Sequence, residues 1–470
     1  MHKVIILAAG QSKRMDPLPD KNFIEFCGRP LIAWQIEQLR SAGFREIAVI
    51  GGKHNLQELE KIVGNFSKNA KFVKKKNKLR LEILEQKRLE DGMAGAVVTA
   101  EEWIGDCPFL VVSSNDIVAD SIFELLKSNG TKKSKVQDAI SGFLVAKKVR
   151  EYFPGGYLKV EKDGTITGIV EKPGAGREPS DLVNIVFHLH MKPRKLFEEL
   201  RRVKTNRDDR YEVALDRLMK RGEKFMALPY SGLWRPVKYP WHLRDVWKII
   251  FERLVQTSKI NGYHKSAKNF SKISRKTSIA KTAIMRGDVI IEDGVKIFDH
   301  AVIQGPAYLG CDVIVANNAL VRESHLGAKS VAGFGTEIAR SFLGQGVWTH
   351  TNYIGDSVIA NNTSFGSGTV TGNLRLDEKP VSVAVDGQRV ACGSNKLGAI
   401  IGENVRIGIN VSLMPGVKIG NNSFIGAGIS VARDVPDRKF VYGTWELTMK
   451  DNSATINPSA REIMMQRLKE

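Results

Sequence analysis

Cysteine is scarce. The four cysteines, Cys27, Cys107, Cys311 and Cys392, lie far apart among 470 residues and never in a C-x-x-C spacing. That pattern suggests neither a disulfide framework nor a zinc site. Long apolar runs are missing as well: no stretch is long enough for a helix to cross a bilayer. Met1-His2-Lys3 leads directly into a strand, and the expectation is a cytoplasmic protein with no secretory or membrane segment. Acidic residues are outnumbered by basic ones, 51 against 71, for a net charge of +20. The excess falls within 1–271, and KNAKFVKKKNKLR, 68–80, holds seven basic residues and no acid. No aromatic interleaving or nucleic-acid motif accompanies that run, so it reads as a solvated basic face. Two common phosphate-binding signatures are also absent after the first strand, the G-K-[ST] of a P-loop and G-x-G-x-x-G. What remains has ordinary globular composition, 42% hydrophobic and 26% charged, and is long enough for two or three domains.

The front of the chain is organised around VIILAAGQSKRMDPLPDK, residues 4–21. Val4–Leu7 has the length and apolar character of a buried strand. Ala8, Ala9 and Gly10 follow it. Small residues there let the backbone approach a phosphate, and successive N–H groups can cradle an anion. Arg14 and Lys21 supply fixed cations that would neutralise a triphosphate. Residues 31–42 and 56–63 carry helical periodicity, while 47–50 and 109–112 read as strands. Such alternation predicts a doubly wound, mostly parallel, Rossmann-like α/β sheet with ligands beyond its strand ends. Asp116 stands just past the 109–112 strand, where a carboxylate and substrate phosphates could share Mg2+.

This loop resembles the L-A-x-G-x-x-x-R-[ML]…P-x-x-K loop of the nucleotidyltransferases that make nucleotide sugars, and FCGRPLI (Phe26–Ile32) resembles their G-[KR]-P-[LM]-[IL] segment. The resemblance implies base recognition by Gln86 and a close backbone approach at Gly92, with Met93 where a Thr is usual. UTP and dTTP therefore both stay open. PGGYLKV (Pro154–Val160) resembles the G-Y-G segment near the sugar, bringing in Gly156. GIVEKPG (Gly168–Gly174) resembles V-x-E-K-P, which makes Glu171 an acceptor from sugar hydroxyls and sets Lys172 near the sugar phosphate. Asn184 falls where the family has a sugar-contacting Asn. One departure matters. GLWRPVKYPWHL (Gly232–Leu243) resembles G-x-W-x-D-[IV]-x-x-P-W-D-L, yet the second metal carboxylate falls on Pro236. Either Asp116 and phosphate oxygens hold Mg2+ alone, or Asp208 or Asp209 substitutes, or the front domain is slow or inactive.

After a helical stretch and the polar segment 259–272 the period changes. Ile291, Ile297, Ile303, Leu309, Val315 and Val321 are spaced by six, as are Ile401, Ile407, Leu413, Ile419, Ile425 and Val431. Six is neither a helical nor a hairpin period; it marks a hexapeptide β-helix with the aliphatic residue inside and Gly, Asn and Asp at the corners. Between the two runs, 326–399 reads as irregular, and 375–400 as an arm closing over a site. THTNYIGDSVIANNTSFGSGTVTGN, within this part, resembles the acetyltransferase half of the bifunctional enzyme that makes UDP-N-acetylglucosamine. The resemblance makes the β-helix left-handed and commonly trimeric. It also makes His350 a general base toward the amine of glucosamine-1-phosphate, Tyr353 and Asn373 sugar-orienting groups, and Arg322 a phosphate partner. Lys379 matches a Lys of the archaeal-type relatives; Arg340 stands near a missing Lys; Ser412 and Ala427 lie along the expected acetyl-CoA track.

The expected layout is a nucleotidyltransferase domain at 1–240, a helix and linker at 241–270, a left-handed parallel β-helix at 271–443 and a tail at 444–470. The expected activity is nucleotidyl transfer from UTP (or dTTP) to N-acetylglucosamine-1-phosphate with pyrophosphate release, preceded by N-acetylation from acetyl-CoA. Two narrower readings stay open. One is a glucose- or mannose-phosphate nucleotidyltransferase whose β-helix only oligomerises. The other is an acetyltransferase with a degenerate front domain.

Overall fold

The computed structural model describes residues 3–69, 79–130, 139–205, 209–260, 271–444 and 446–468. Most of the basic run at 68–80, the linker at 261–270 and Asp208 lie outside the described residues. Among those described, no helix is long and apolar enough to cross a membrane. Strand β1 (Lys3–Leu7) sends Val4 and Ile6 into one apolar layer and Ile5 into the other, which is why its sequence is apolar throughout. Helix α1 (Leu31–Ser41), strand β2 (Glu46–Gly52), helix α2 (Leu56–Asn69), strand β3 (Arg80–Gln86), helix α3 (Gly92–Thr99) and strand β4 (Phe109–Ser113) follow. Strands β1 to β4 pair in parallel. Next come β5 (Asp116–Val118), α4 (Ser121–Gly130), β6 (Ile140–Lys148), β7 (Gly156–Val160), β8 (Thr165–Glu171) and β9 (Leu182–His190). Helices α5 (Pro193–Arg202) and α6 (Arg210–Lys220) lead to β10 (Lys224–Pro229), β11 (Trp234–Pro236) and α7 (Leu243–Ile260).

The nine-stranded sheet runs β3-β2-β1-β4-β9-β6-β10-β8-β7. Its second half departs from the expected parallel order: β9 is antiparallel to both β4 and β6, and β7 to β8. For the last pair the cause is loop length. β7 and β8 are joined by a tight turn in which Glu161 N–H donates to Thr165 O at 2.9 Å, too short for the crossover that parallel strands require.

The second body is a three-sided parallel β-helix. All twelve aliphatic residues spaced by six line its interior. On one face the register passes from Ile291 to Leu309, then to Leu326 and Leu343. It goes on to Ile359 in a shorter coil, and to Ile401 in a far longer one. The expectation of irregularity over 326–399 is thus corrected. Coils continue through Thr371 with shortened corners that keep Leu326, Ile338, Ile354 and Phe365 inside. Only the long step leaves the prism, as an antiparallel hairpin of Ser382–Val385 and Gln388–Ala391. Its Val381, Val383 and Val385 join an apolar cluster shared by both bodies, together with Phe26, Trp34, Trp247, Phe251, Tyr308 and Phe342. Trp247, on α7, is fully buried, so this helix is a wedge between the bodies. Cys27 N–H, in the front domain, donates to His325 Nε2, in the prism, at 3.0 Å.

Candidate active sites

The loop after β1 is pinned from beneath by side chains that the motif reading did not single out. Ala8 O accepts from Asn22 Nδ2 at 3.1 Å and from Asn55 Nδ2 at 2.9 Å. Asp20 accepts from Ser12 Oγ, Asn22 N–H and Asn55 Nδ2, each at 3.0 Å. Ala8 N–H is spent on Ile50 O at 2.9 Å and is not available to an anion. A Cβ on Gly10 would meet nothing within 4 Å; the loop is open there, and Arg14 beside it is exposed. Lys21 is half-buried. Burial and the nearby Arg14 pull its ammonium below the usual lysine range, while Asp20 and Asp116 pull it back. Gln86 is buried, and its Nε2 donates to the carbonyls of Arg88 and Gly92, both at 2.9 Å. Its amide nitrogen therefore shapes the turn. Gly92 has φ 56° and ψ −143°, a region that other residues enter only at a cost of about 1–3 kcal/mol.

Gly156, Glu171 and Asn184 converge. A Cβ on Gly156 would lie 3.0 Å from Asn184 Nδ2 and 3.1 Å from Glu171 Oε2, because β7 pairs with both β8 and β9 there. Lys172 is exposed, forms an ion pair with Glu171 at 3.1 Å and has φ 45°. Asp116 is buried at the start of β5 and accepts from Trp234 Nε1 at 3.0 Å. Burial raises its carboxyl above the usual range, against the pull of Trp234, Lys238 and Lys21. Pro236 stands directly opposite Asp116 in the β5–β11 pair.

In the prism, His350 is exposed at the corner leading to Tyr353, its backbone N–H donating to Asn352 Oδ1 at 2.5 Å. Asn373 Nδ2 donates to Tyr353 Oη at 3.1 Å and to Asp356 Oδ2 at 2.6 Å. Arg340 forks onto both oxygens of Asp356, at 2.9 and 2.6 Å, which holds its guanidinium firmly charged. Arg244, from α7, donates to Asp356 O at 2.9 Å and to Lys396 O at 3.1 Å. Arg322 is tied to Glu337 Oε1 at 2.8 and 2.5 Å, so an incoming phosphate would have to share its guanidinium. Ser412 continues the column of Tyr353 and Val370 along the same face. Ala427 lies exposed further along, against Gly408. Lys379, on the arm, is exposed, with its backbone N–H on Asp377 Oδ1 at 3.3 Å.

The nucleotidyl transferase family model matches residues 3–248, and the bacterial transferase hexapeptide model, of six repeats, matches 398–428. A bifunctional sugar-1-phosphate nucleotidylyltransferase/acetyltransferase of Sulfurisphaera tokodaii is 31% identical over 442 residues, which cover 92% of this chain and 98% of the relative. The chain belongs to this bifunctional transferase family. A bifunctional GlmU protein of Methanococcus maripaludis is 33% identical over 455 residues, 95% of this chain and 98% of its own. A solved apo UDP-glucose pyrophosphorylase aligns with 54% of this chain and 99% of its own, at 21% identity and a TM-score of 0.44.

Asp116, the carboxylate that the sequence puts forward for Mg2+, has Lys21 and Lys238 for neighbours. Asp209 sits instead at the start of α6, and among the described residues no three His, Cys, Asp or Glu side chains group to hold a metal. This donor set fits Mg2+ only as an ion carried in on nucleotide phosphates, since Mg2+ needs few protein oxygens when phosphates supply the rest. Asp356 belongs to the same motif as His350 and Tyr353, but no motif singles out Lys238 or Arg244 as site-forming groups. Their contacts cross between segments distant in the chain, and no local spacing announces them.

Proposed function

We propose that the front domain transfers a nucleotidyl group from UTP (or dTTP) to N-acetylglucosamine-1-phosphate or another sugar-1-phosphate, releasing pyrophosphate. The prism in this reading uses acetyl-CoA to N-acetylate glucosamine-1-phosphate. End-to-end similarity to bifunctional relatives supports it, and the observation that carries it is the Tyr353–Asn373–Asp356 group next to His350.

In the front site a sugar-phosphate oxygen attacks the α-phosphorus, the bond to the bridging oxygen breaks, and pyrophosphate leaves with the electron pair. Ala9 and Gly10 N–H groups, Arg14 and Lys21 hold and neutralise the triphosphate, while Gly156, Glu171, Lys172 and Asn184 position the sugar phosphate. Gln86 and Gly92 receive the base. Asp116 would hold Mg2+, which adds charge neutralisation on the phosphates when bound. In the prism His350 removes a proton from the sugar amine as its nitrogen attacks the thioester carbonyl, and the CoA thiolate leaves. Imidazole suits this because its ordinary pKa lies near neutrality. Tyr353 and Asn373 orient the sugar, Arg322 meets its phosphate, Lys379 is a catalytic group carried by the arm, and Ser412 and Ala427 line the approach of acetyl-CoA.

Assembly as a homotrimer through the prism accords with Phe334, Trp348, Ile409 and Phe424, large apolar side chains left more than half exposed. The test is pyrophosphate release with UTP and N-acetylglucosamine-1-phosphate, run beside acetyl transfer to glucosamine-1-phosphate. Both activities are expected. Release only with dTTP and glucose-1-phosphate would favour the single-activity reading. Acetyl transfer without release from any pair would leave an acetyltransferase with a silent front domain.

A further inference from the structure

The position where the two-carboxylate pattern puts its second ligand is filled by Pro236, directly across from Asp116. A pyrrolidine ring offers no oxygen there. Two positions on, Lys238 brings the opposite charge, and its side chain is fixed in place. Nζ donates to Pro154 O at 3.0 Å and lies 3.7 Å from the centroid of the Phe153 ring. Phe153 packs at 4.9 Å on Trp234, the residue whose indole N–H holds Asp116. The backbone beneath is held too: Val237 N–H donates to Asn115 O at 2.8 Å, and Lys238 N–H to His242 Nδ1 at 3.3 Å. An ammonium has three N–H donors, and among the described residues one goes to Pro154.

The charges around it come from three segments of the candidate site. Asp116, Arg14, Glu171 and Lys172 all act on the Lys238 ammonium. Arg14 belongs to the nucleotide loop, and Glu171 and Lys172 to the sugar segment. Lys238 Nζ, on the carbonyl of Pro154 next to the Gly156 segment, thus lies between the segments assigned above to the sugar and to the nucleotide.

We propose that Lys238 is a catalytic residue of nucleotidyl transfer, its ammonium binding the oxygens of the sugar phosphate and the α-phosphate as the new P–O bond forms. It takes over charge neutralisation that a second carboxylate would otherwise organise through a metal ion. The proposal rests on the front-domain reading above. Lys238 stabilises charge and transfers no proton: the sugar-phosphate oxygen bonds to the α-phosphorus, and the electron pair of the broken bond departs on pyrophosphate.

The experiment compares the parent chain with Lys238→Met, Lys238→Arg and the double variant Lys238→Met/Pro236→Asp. Pyrophosphate release from UTP and N-acetylglucosamine-1-phosphate is followed over a Mg2+ titration. UTP affinity is measured by calorimetry in EDTA, and acetyl transfer by the same preparations reports folding. Lys238→Met is expected to lower kcat about 100-fold and to weaken UTP binding in EDTA about tenfold, with acetyl transfer kept. Lys238→Arg should retain more activity than Lys238→Met. The double variant should regain activity and reach half its maximal rate at lower Mg2+. A kcat for Lys238→Met within about threefold of the parent would overturn the proposal. A rise in sugar-phosphate KM at unchanged kcat would overturn it as well, because it marks Lys238 as a prop for the 153–156 loop. If the parent itself releases no pyrophosphate from any pair, the front-domain reading fails instead. Unchanged UTP affinity in EDTA would then reject the role of Lys238 separately.

Discussion

Single side chains separate the two chemistries. His350 is exposed in the prism, and its neighbours Tyr353 and Asn373 bond to each other and not to the front loop. Replacing His350 by Ala should reduce acetyl transfer by about 100-fold or more, the usual worth of a general base, and leave pyrophosphate release at its parent rate; parallel assays of one preparation check this. Loss of both activities would contradict two independent sites. On the sugar side Gly156 is needed for space, not for a special φ. A methyl group there would press on Asn184 Nδ2 and Glu171 Oε2, at 3.0 and 3.1 Å. Gly156→Ala should raise the sugar-1-phosphate KM roughly tenfold while leaving that for the nucleotide unchanged, because the displaced groups are the ones proposed to hold the sugar. Gly156, Glu171 and Asn184 could each be named from motifs, but that they meet is set by the antiparallel pairing of three strands.

At the scale of elements, the prism tolerates coils of unequal length because each contacts only its neighbours. The unequal steps from Ile291 to Leu309, to Leu326 and on to Ile359 stack without breaking the interior row. The shortening comes out of corners, so the aliphatic positions stay in line. That explains why the period of six is legible at both ends and faint in the middle, where Ile338 and Ile354 still point inward. Ile338→Ala removes a fully buried side chain and should destabilise the prism by about 2–5 kcal/mol, read as a shift in the denaturant midpoint. The front loop shows the converse. Its sequence announces phosphate binding, while its shape depends on Asn55, which reaches back from the turn before α2 to hold Ala8 and Asp20.

For the whole molecule, the junction between the bodies is sensitive to acid. His325 lies between Tyr308 and Phe342, ring centroids 4.8 and 4.6 Å away, and accepts from Cys27 N–H. Burial lowers its pKa from 6.5 to about 4. The folded state thus binds this proton more weakly than the unfolded state. Its stability is full above pH 6.5 and falls as pH drops from 6.5 toward 4, by about 1.4 kcal/mol per pH unit for this one group. His242, lowered by burial to about 4, adds to the same slope. Thermal midpoints should fall between about pH 7 and pH 5, and His325→Phe should make that fall shallower despite lower stability at neutral pH. The junction also reaches the proposed acetyltransferase site through Arg244, whose guanidinium holds the backbone carbonyl of Asp356. Arg244→Ala should slow acetyl transfer about tenfold, by loosening the group that fixes Asn373, and leave nucleotidyl transfer near its parent rate; paired assays again decide.

The amino-acid sequence by itself determined what short-range spacing can carry. The small-residue loop after a first apolar strand, the alternation of strands and helices, and the row of aliphatics at every sixth position all follow from local geometry and burial. The tertiary structure alone decided which charges meet. Lys238 enters the Asp116 neighbourhood from just past β11, Arg244 reaches Asp356 across 112 positions, and His325 accepts the N–H of Cys27 across 298. Such contacts depend on how strands cross and how the two bodies close on α7, and no local pattern in the chain encodes them.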